Sequence, residues 1–458
     1  MKNLSIRDSV ILRMGIVAVL GLVLLIPISF TDGLVSERKQ LRDKTLNEIT
    51  EKWGGPQILS GPILTVPIKR IHRNKEGEIT WTTTEHAHIL PDSLTVDARL
   101  APEVRYRGIY HAVLYNSQFR IEADFPAPQF PESQSSDHEI LWAEAFLTIG
   151  ISDLKGVRSI TGAMQGEQPL TPEPGLRTKD LVLSGFTMRL PLSPGGKPGR
   201  FAIEASVNGS EEIQFVPLAA KTSVVAGAPW GAPSFTGSFL PEKREITENS
   251  FNAQWSVLHF NRNVPQSWTG PQIRLQDSSF GVKLLLPVDE YQKNARAVKY
   301  AIMFIALTFL AFTVTDVLSR SPFHPIHYSL VGLALILFFV LLLSISEHLG
   351  FNLAYVIAGI PSILLISMYT RWITGKWRIT GAIAGTLSVL YLFLFVVLQL
   401  EDYALLMGSV GLFTALSTVM YLTRRIDWFA AGTSGKSAGD LNCLPGPCAE
   451  QGVQDKES

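Results

Sequence analysis

Apolar residues fall into two unlike patterns along the chain: long uninterrupted runs at both ends and short alternating ones between them. A hydrocarbon core about 30 Å thick is crossed by roughly 20 apolar residues at 1.5 Å each. Ile11–Phe30 has that length, interrupted only by Arg13 and Pro27. Lys2, Arg7 and Arg13 lead into it as in a signal peptide. The run exceeds a signal-peptide core, and no small-x-small cleavage site follows Ile28-Ser29-Phe30-Thr31, so an uncleaved signal anchor is expected. Five more spans are predicted at about 300–318, 328–346, 353–369, 379–398 and 403–422.

Between them the pattern changes. Leu41, Ile49 and Trp53 recur at helical spacing among charged residues, predicting a stalk helix over 36–53 that Gly54-Gly55-Pro56 stops. Beyond Pro56 come short extended runs broken by Gly and Pro. Ile63–Ile71 and Glu78–Thr84 flank Asn74-Lys75-Glu76-Gly77, a hairpin signal. Further strands are expected at 94–100, 109–115, 118–124, 145–152, 181–190, 200–207, 213–218, 251–260 and 280–286, with loops at 126–138 and 165–180. So many short runs point to an antiparallel sandwich or a pair of small sheets. The fold class is therefore an α+β membrane protein: an N-terminal anchor helix, a five-helix C-terminal bundle and a large antiparallel β-rich external domain. The domain boundaries follow: 1–31 for the N-terminus and first span, 32–297 for the external domain (β-rich over 56–290), 298–424 for the bundle and 425–458 for a tail, expected to be disordered from 430.

Charge sets the orientation. The chain is 46% hydrophobic and 17% charged, with 40 basic and 40 acidic residues. That excludes a disordered chain, a collagen-like one and a strongly basic nucleic-acid binder. From Asp32 to Arg296 there are 28 Lys/Arg and 30 Asp/Glu, whereas only 11 of the 130 residues from Tyr300 to Phe429 are charged. Loops at 319–327 and 370–378 and the tail carry Arg320, Arg371, Lys376, Arg378, Arg424 and Arg425. The opposite loops hold Glu347, Glu401 and Asp402 and no Lys or Arg. The positive-inside rule then places both termini in the cytoplasm and 32–297 outside.

Candidate chemistry is sparse. The only cysteines are Cys443 and Cys448, so the external domain has no disulfide and the tail holds half a zinc site at best. Gly432-Thr433-Ser434-Gly435-Lys436-Ser437 ends like a phosphate-binding loop, but Ala430 stands where that motif needs glycine. Glu85-His86-Ala87-His88 would put two imidazoles on one strand face, a metal pair if His111 or another group joined them; solvated surface histidines are the plainer expectation. No hydrolase, zincin or dinucleotide motif occurs, so neither an enzyme nor a cofactor is expected. Within the spans, Asp316 is the ionisable group to explain, and a helix-end pair with Arg320 is the simplest reading. Ser344, Ser346, Glu347, His348 and Asn352 gather at one span mouth, and Gln399, Glu401 and Asp402 at another. Brought together they would form an acidic polar rim able to bind a cation, relay protons or dock the external domain. Gly381-x-x-x-Gly385 reads as close helix packing and Pro361 as a kink.

Longer motifs add a family. They are Glu51-Lys52-Trp53-Gly54 with Gly61-Pro62, Tyr106-Arg107-Gly108-Ile109-Tyr110, and Pro233-Ser234-Phe235-Thr236-Gly237-Ser238-Phe239-Leu240-Pro241. Tyr291-Gln292-Lys293, Lys299-Tyr300 and His324-Pro325-Ile326-His327-Tyr328 follow, then Leu341–His348, Gln399–Leu406 and Thr423–Trp428. In these the chain resembles the CreD family of bacterial inner-membrane proteins over residues 1–429. The chain has Asp316 where the family has Glu, and His327 where it has Gln. The resemblance implies a multi-pass inner-membrane protein with a periplasmic domain, tied to cell-envelope integrity and stress response, with expression linked to a sensor-kinase and response-regulator pair. It carries no catalytic residues. The expected function is thus non-enzymatic: a periplasmic β domain that binds an envelope component or protein partner and takes no nucleic acid. The alternative is a transporter or channel through the bundle, entered at the acidic rim.

Overall fold

The computed structural model describes residues 10–76, 78–130, 137–271, 274–286, 290–319, 323–400 and 403–424. They form two compact units, Met1–Lys39 with Asp289–Ser458, and Gln40–Val288.

The first unit is helical: α1 (Val10–Val23), the start of α2 (Leu25–Trp53), α3 (Glu290–Ser319), α4 (Pro325–Leu349), α5 (Phe351–Thr374), α6 (Trp377–Gln399) and α7 (Ala404–Thr423). Among the described residues six helical stretches are long and apolar enough to cross a membrane, one N-terminal and five C-terminal, as the hydropathy pattern predicts. The Leu24 N–H donates to Leu20 O at 3.0 Å, so anchor and stalk run on almost without a break.

Helix ends follow capping chemistry. His324 Nδ1 accepts the Ile326 N–H, Pro325 opens α4, and the positive φ of Gly350 and Gly375 lets α4 and α5 stop sharply. Inside the bundle, Phe304, Phe338, Phe339, Tyr355 and Tyr391 pack ring against ring. Thr308, Ser362 and Thr370 turn their hydroxyls back to their own helices at 2.8–2.9 Å. Pro361 lies within an unbroken α5. Gly381 and Gly385 correct the packing expectation: a Cβ at either would meet nothing within 4 Å, so no helix of this chain leans on that stripe.

The second unit is built of two sheets, ten- and eight-stranded among the described residues. The hub of the larger is Gln57–Arg73, which pairs with Ile79–Ile89, His138–Ile140, Phe146–Ile151 and Glu212–Phe215. The smaller centres on Ser93–Arg107, Tyr110–Phe125 and Gly199–Ser210. Nearly all pairings are antiparallel; Gln57–Leu59 with Ile213–Phe215 and Ser93–Arg99 with Lys221–Gly227 are parallel. Inward residues of both sheets (Ile63, Leu147, Phe215 and Val282 from one, Val96, Phe119, Phe201 and Trp255 from the other) share one core, which makes this a sandwich.

Several strand expectations change. The strand expected at 181–190 spans only Gly185–Arg189, because Leu181 and Val182 bury their side chains in the core without pairing in a ladder. The loop expected at 165–180 contains the short strands Gln168–Pro169 and Pro172–Pro174, and Val157–Gln165 is a strand the pattern does not mark. Residues 109–115 and 118–124 are one strand, because Asn116 and Ser117 bond sideways instead of turning: Asn116 Nδ2 donates to Ser206 Oγ at 3.0 Å and Ser117 Oγ to Val207 O at 2.8 Å. Lys221–Ala228, unmarked in the sequence, is a central strand with Val224 and Ala226 fully buried.

The Trp53-Gly54 motif ends the stalk at a polar joint within this unit. Trp53 Nε1 donates to Tyr115 O at 3.4 Å, with Arg105 and Arg158 at 4.3 and 5.2 Å from its ring. Gly54 has φ 136° and no room for a side chain against Asn208 O. Buried Gln57 donates to the Asp153 and Asn208 carbonyls and accepts from the Asp153 N–H.

Candidate functional site

The candidate rim lies where α3 and α5 begin and α4 and α6 end. Each helix arrives with orphan backbone groups, and side chains from its neighbours meet them. Glu290, in the first turn of α3, accepts the Phe351 N–H on Oε2 at 2.6 Å, placing a carboxylate at the N-terminus of α5. Tyr291 donates its hydroxyl to Glu347 Oε1 at 3.0 Å. Arg38 of α2 stands 3.9 Å from the same oxygen. One helical turn below, Asn294 Nδ2 donates to Ser346 Oγ at 2.7 Å, and Ser346 passes its own proton to Leu343 O. Asn294 and Ser346 are both 2% exposed. On the α6 side, Lys293 Nζ donates to Gln399 Oε1 at 3.2 Å while the Gln399 amide donates to Asn352 Oδ1. The Lys293 ammonium also lies 5.6 Å from the Phe351 ring centroid.

The structure thus brings Ser346, Glu347, Gln399 and Asn352 together, as the sequence suggests. His348 and Ser344 are exposed and join no polar contact of the rim among the described residues. Glu401 and Asp402 lie outside the described residues. Sequence reading missed the other half of the site: Glu290, Tyr291, Lys293, Asn294 and Arg38. Its signal was present in Tyr291-Gln292-Lys293, just ahead of a span. With these included, the described rim balances two carboxylates, Glu290 and Glu347, against Lys293 and Arg38. The arrangement pairs donors with acceptors across five helices and acts chemically as a clasp.

At the other end, Asp316 Oδ1 accepts the Phe323 N–H at 3.3 Å and ties the end of α3 to the approach of α4. Arg320, its expected partner, lies outside the described residues. His327 Nδ1 and the Tyr369 hydroxyl are 2.8 Å apart, joining α4 to α5, and Tyr328 is buried against Phe309, Phe312 and Phe323. The histidine-rich motif is accounted for by a cap, a helix-to-helix bond and a packed ring.

The His86 and His88 side chains share a strand face, but His88 is not a surface group: it is fully buried beside Asp180. His111 packs edge-to-face with Tyr106 in the other sheet. Among the described residues no three His, Cys, Asp or Glu are arranged to hold a metal ion.

Comparison with known proteins gives a consistent answer. The family described as "Inner membrane protein CreD" matches residues 9–429. The Inner membrane protein CreD of Escherichia coli (strain K12) is 32% identical over 418 residues, 89% of this chain and 91% of that one. Among solved structures, an M1 zinc metallopeptidase from Deinococcus radiodurans is similar over 47% of this chain and 53% of its own. At 12% identity and a TM-score of 0.20 that likeness carries no argument. The family match over nearly the whole chain, the six spans and the central β unit agree: this chain belongs to the CreD family of inner membrane proteins.

Proposed function

We propose that this protein is a non-enzymatic envelope protein, whose β unit faces the periplasm and binds an envelope component or protein partner in support of envelope integrity under stress. The cytoplasmic placement of both termini belongs to this reading and rests on the loop charges, basic around Arg371, Lys376 and Arg378 and free of bases around Glu401 and Asp402.

The observation that carries the binding reading is a polar cleft of about 550 Å3 in the β unit, lined by Gln129, Phe130, His138, Ile140, Trp142 and Pro194. Its size falls within the range of ligand sites. The Phe130 and Trp142 rings lie 5.5 Å apart at a tilt, a platform for stacking, with imidazole and amide groups at its margin. The bundle supports the same reading: among the described residues Tyr291 and Asn294 bond to Glu347 and Ser346 of the rim, and Thr308, Ser362 and Thr370 bond back to their own helices.

A photo-cross-linking residue at exposed Gln129, in cells expressing the full chain, should give a reproducible adduct. The adduct should disappear in Trp142→Ala with expression unchanged. Absence of any reproducible adduct, or one indifferent to Trp142, would refute the reading.

A further inference from the structure

His88 lies in the β unit, in a setting the proposed binding cleft does not use. It occupies the register position between Thr65 and Trp268 on three adjacent strands, Gln57–Arg73, Ile79–Ile89 and Ser267–Thr269. Its ring is fully buried. Thr65 Oγ1 lies 3.0 Å from Nδ1, and Asp180 Oδ2 3.6 Å from Nε2. This arrangement assigns the ring proton to Nε2, facing the carboxylate, and leaves Nδ1 to accept from the threonine hydroxyl. The same Asp180 oxygen is 3.2 Å from His86 Nδ1. One carboxylate therefore serves two imidazoles, whose centroids are 6.4 Å apart.

Asp180 belongs to the crossover 175–184, which has no strand or helix of its own. Three apolar side chains hold that crossover down: Leu181 and Val182 in the core, with Val182 pressed on Gly150, and half-buried Leu176 packed against it. Its polar ties to the sheet are Ser184 O accepting the Ile151 N–H at one end, Gly175 O accepting from Thr187 Oγ1 at the other, and between them the Asp180 carboxylate, positioned by the Asp180 N–H donating to Thr178 Oγ1. Between those two end bonds the crossover is held by side chains and not by a strand ladder, a weaker hold than the sheet's own.

We propose that His86, His88 and Asp180 form an acid-operated latch, which holds the 175–184 crossover against the sheet and releases it when His88 takes a second ring proton. A proton on Nδ1 turns an acceptor into a donor, so the Thr65 hydroxyl must accept and turn its own proton away from the ring. It also places a cation in a fully buried site, beside a second imidazole, with one carboxylate near both. Relief comes when the crossover lifts and water reaches the ring.

The charged surroundings are few. Among the described residues, the titratable groups set against the two imidazoles are each other and Asp180. Neutral groups face them elsewhere: Thr65 from one strand, Trp268 from another and Phe146 beside His86. Arg177 lies beyond Phe146, 5.6 Å from that ring, and is held by Glu173, which also pairs with Arg189. Arg70 and Glu85 pair with each other on these strands.

Burial lowers the His88 imidazole from 6.5 to about 4, and His86 pushes the same way against the pull of Asp180. The sign follows. A folded-state value below the solvated one means that closure is favoured above pH 6.5 and lost as pH falls through 4. With 6.5 in the open form and about 4 in the closed, the open population rises about a hundred-fold between pH 7 and pH 4.

The test is hydrogen–deuterium exchange on the full chain in detergent at pH 7, 5.5 and 4, each corrected for intrinsic exchange. Amides of 175–184 should lose protection about a hundred-fold, while the ladder between Tyr110–Phe125 and Gly199–Ser210 stays protected. His88→Gln should flatten the response, and His86→Gln should move its midpoint upward by removing the neighbouring charge. Unchanged protection of 175–184 in the wild type at pH 4 overturns the latch, whether or not either variant folds. So does loss of the ladder in step with the crossover, which would be global acid unfolding. A wild-type-like response in His88→Gln overturns it as well.

Discussion

If the rim is a clasp, its strength should be measurable as a coupling between side chains, and Tyr291 with Glu347 is the pair to take apart. The phenol is 7% exposed, the carboxylate side chain 10%, and the bond between them is 3.0 Å long. A hydrogen bond to a charged group contributes about 1.5–3 kcal/mol in a buried setting, whereas bonds between membrane helices average nearer 0.6 kcal/mol. The site is at a helix-end boundary, so about 1 kcal/mol of coupling is expected. The ion pair with Arg38 adds little, because that side chain is 51% exposed and 3.9 Å away. Tyr291→Phe should therefore cost about 2 kcal/mol, Glu347→Gln about 1 to 2, and the double variant about 1 kcal/mol less than their sum. The assay is unfolding of the purified chain in mixed micelles with rising SDS, read by tryptophan fluorescence, for all four members of the cycle. A coupling within about 0.3 kcal/mol of zero would refute the clasp. So would an increase in stability on neutralising Glu347, since an entrance that stores strained charge should relax when that charge is removed.

Two glycines offer opposite outcomes from the same chemical change. Gly209→Ala should destabilise the β unit by about 3 kcal/mol, because its Cβ would fall within the ring of Tyr115, which is fully buried and donates to Glu212 O at 2.8 Å. Lost trypsin resistance of the β unit at 37 °C would report it, and wild-type resistance would contradict the packing described. Gly381→Ala, with open space around its Cβ, should raise stability by about 0.5–1 kcal/mol through helix propensity alone. A loss in the same SDS titration would mean that the small-residue stripe supports a contact after all.

What the sequence reveals depends on how far each signal reaches along the chain. A span is written locally: about 20 apolar residues declare themselves whatever packs beside them. All six are therefore legible; α4 and α5 run past their apolar cores to the caps at His324, Gly350 and Gly375, and α3 begins ten residues earlier than expected, at polar Glu290. Strands are half local. Alternation marks Ile63–Ile71, but Lys221–Ala228 is made of Thr, Ser, Val, Ala and Gly, whose small side chains give no amphipathic contrast, and only the flanking strands make it central. Asn116 and Ser117 mislead in the opposite sense. They read as a break because their partners, Ser206 and Val207, are some ninety residues away and unknowable from the local pattern.

The rim shows the same limit in electrostatics. Counted along the sequence, Glu347, Glu401 and Asp402 form an acidic mouth, because a loop contains only its own charges. Folding adds the first turn of α3 and a residue of α2, so that Arg38 and the Tyr291 hydroxyl face Glu347 at 3.9 and 3.0 Å, and Lys293 brings a positive charge to Gln399 at 3.2 Å. A charge is worth what surrounds it: unpaired, Glu347 would be a cation site or a proton carrier, and paired, it is a fastening. His88 runs the other way. Sequence alone makes it one of two polar residues on a hairpin, and the fold makes it a fully buried imidazole beside a carboxylate that also meets His86. Both cases turn on partners supplied from distant strands or helices, and in both the functional hypothesis follows from whether the partnership is complete.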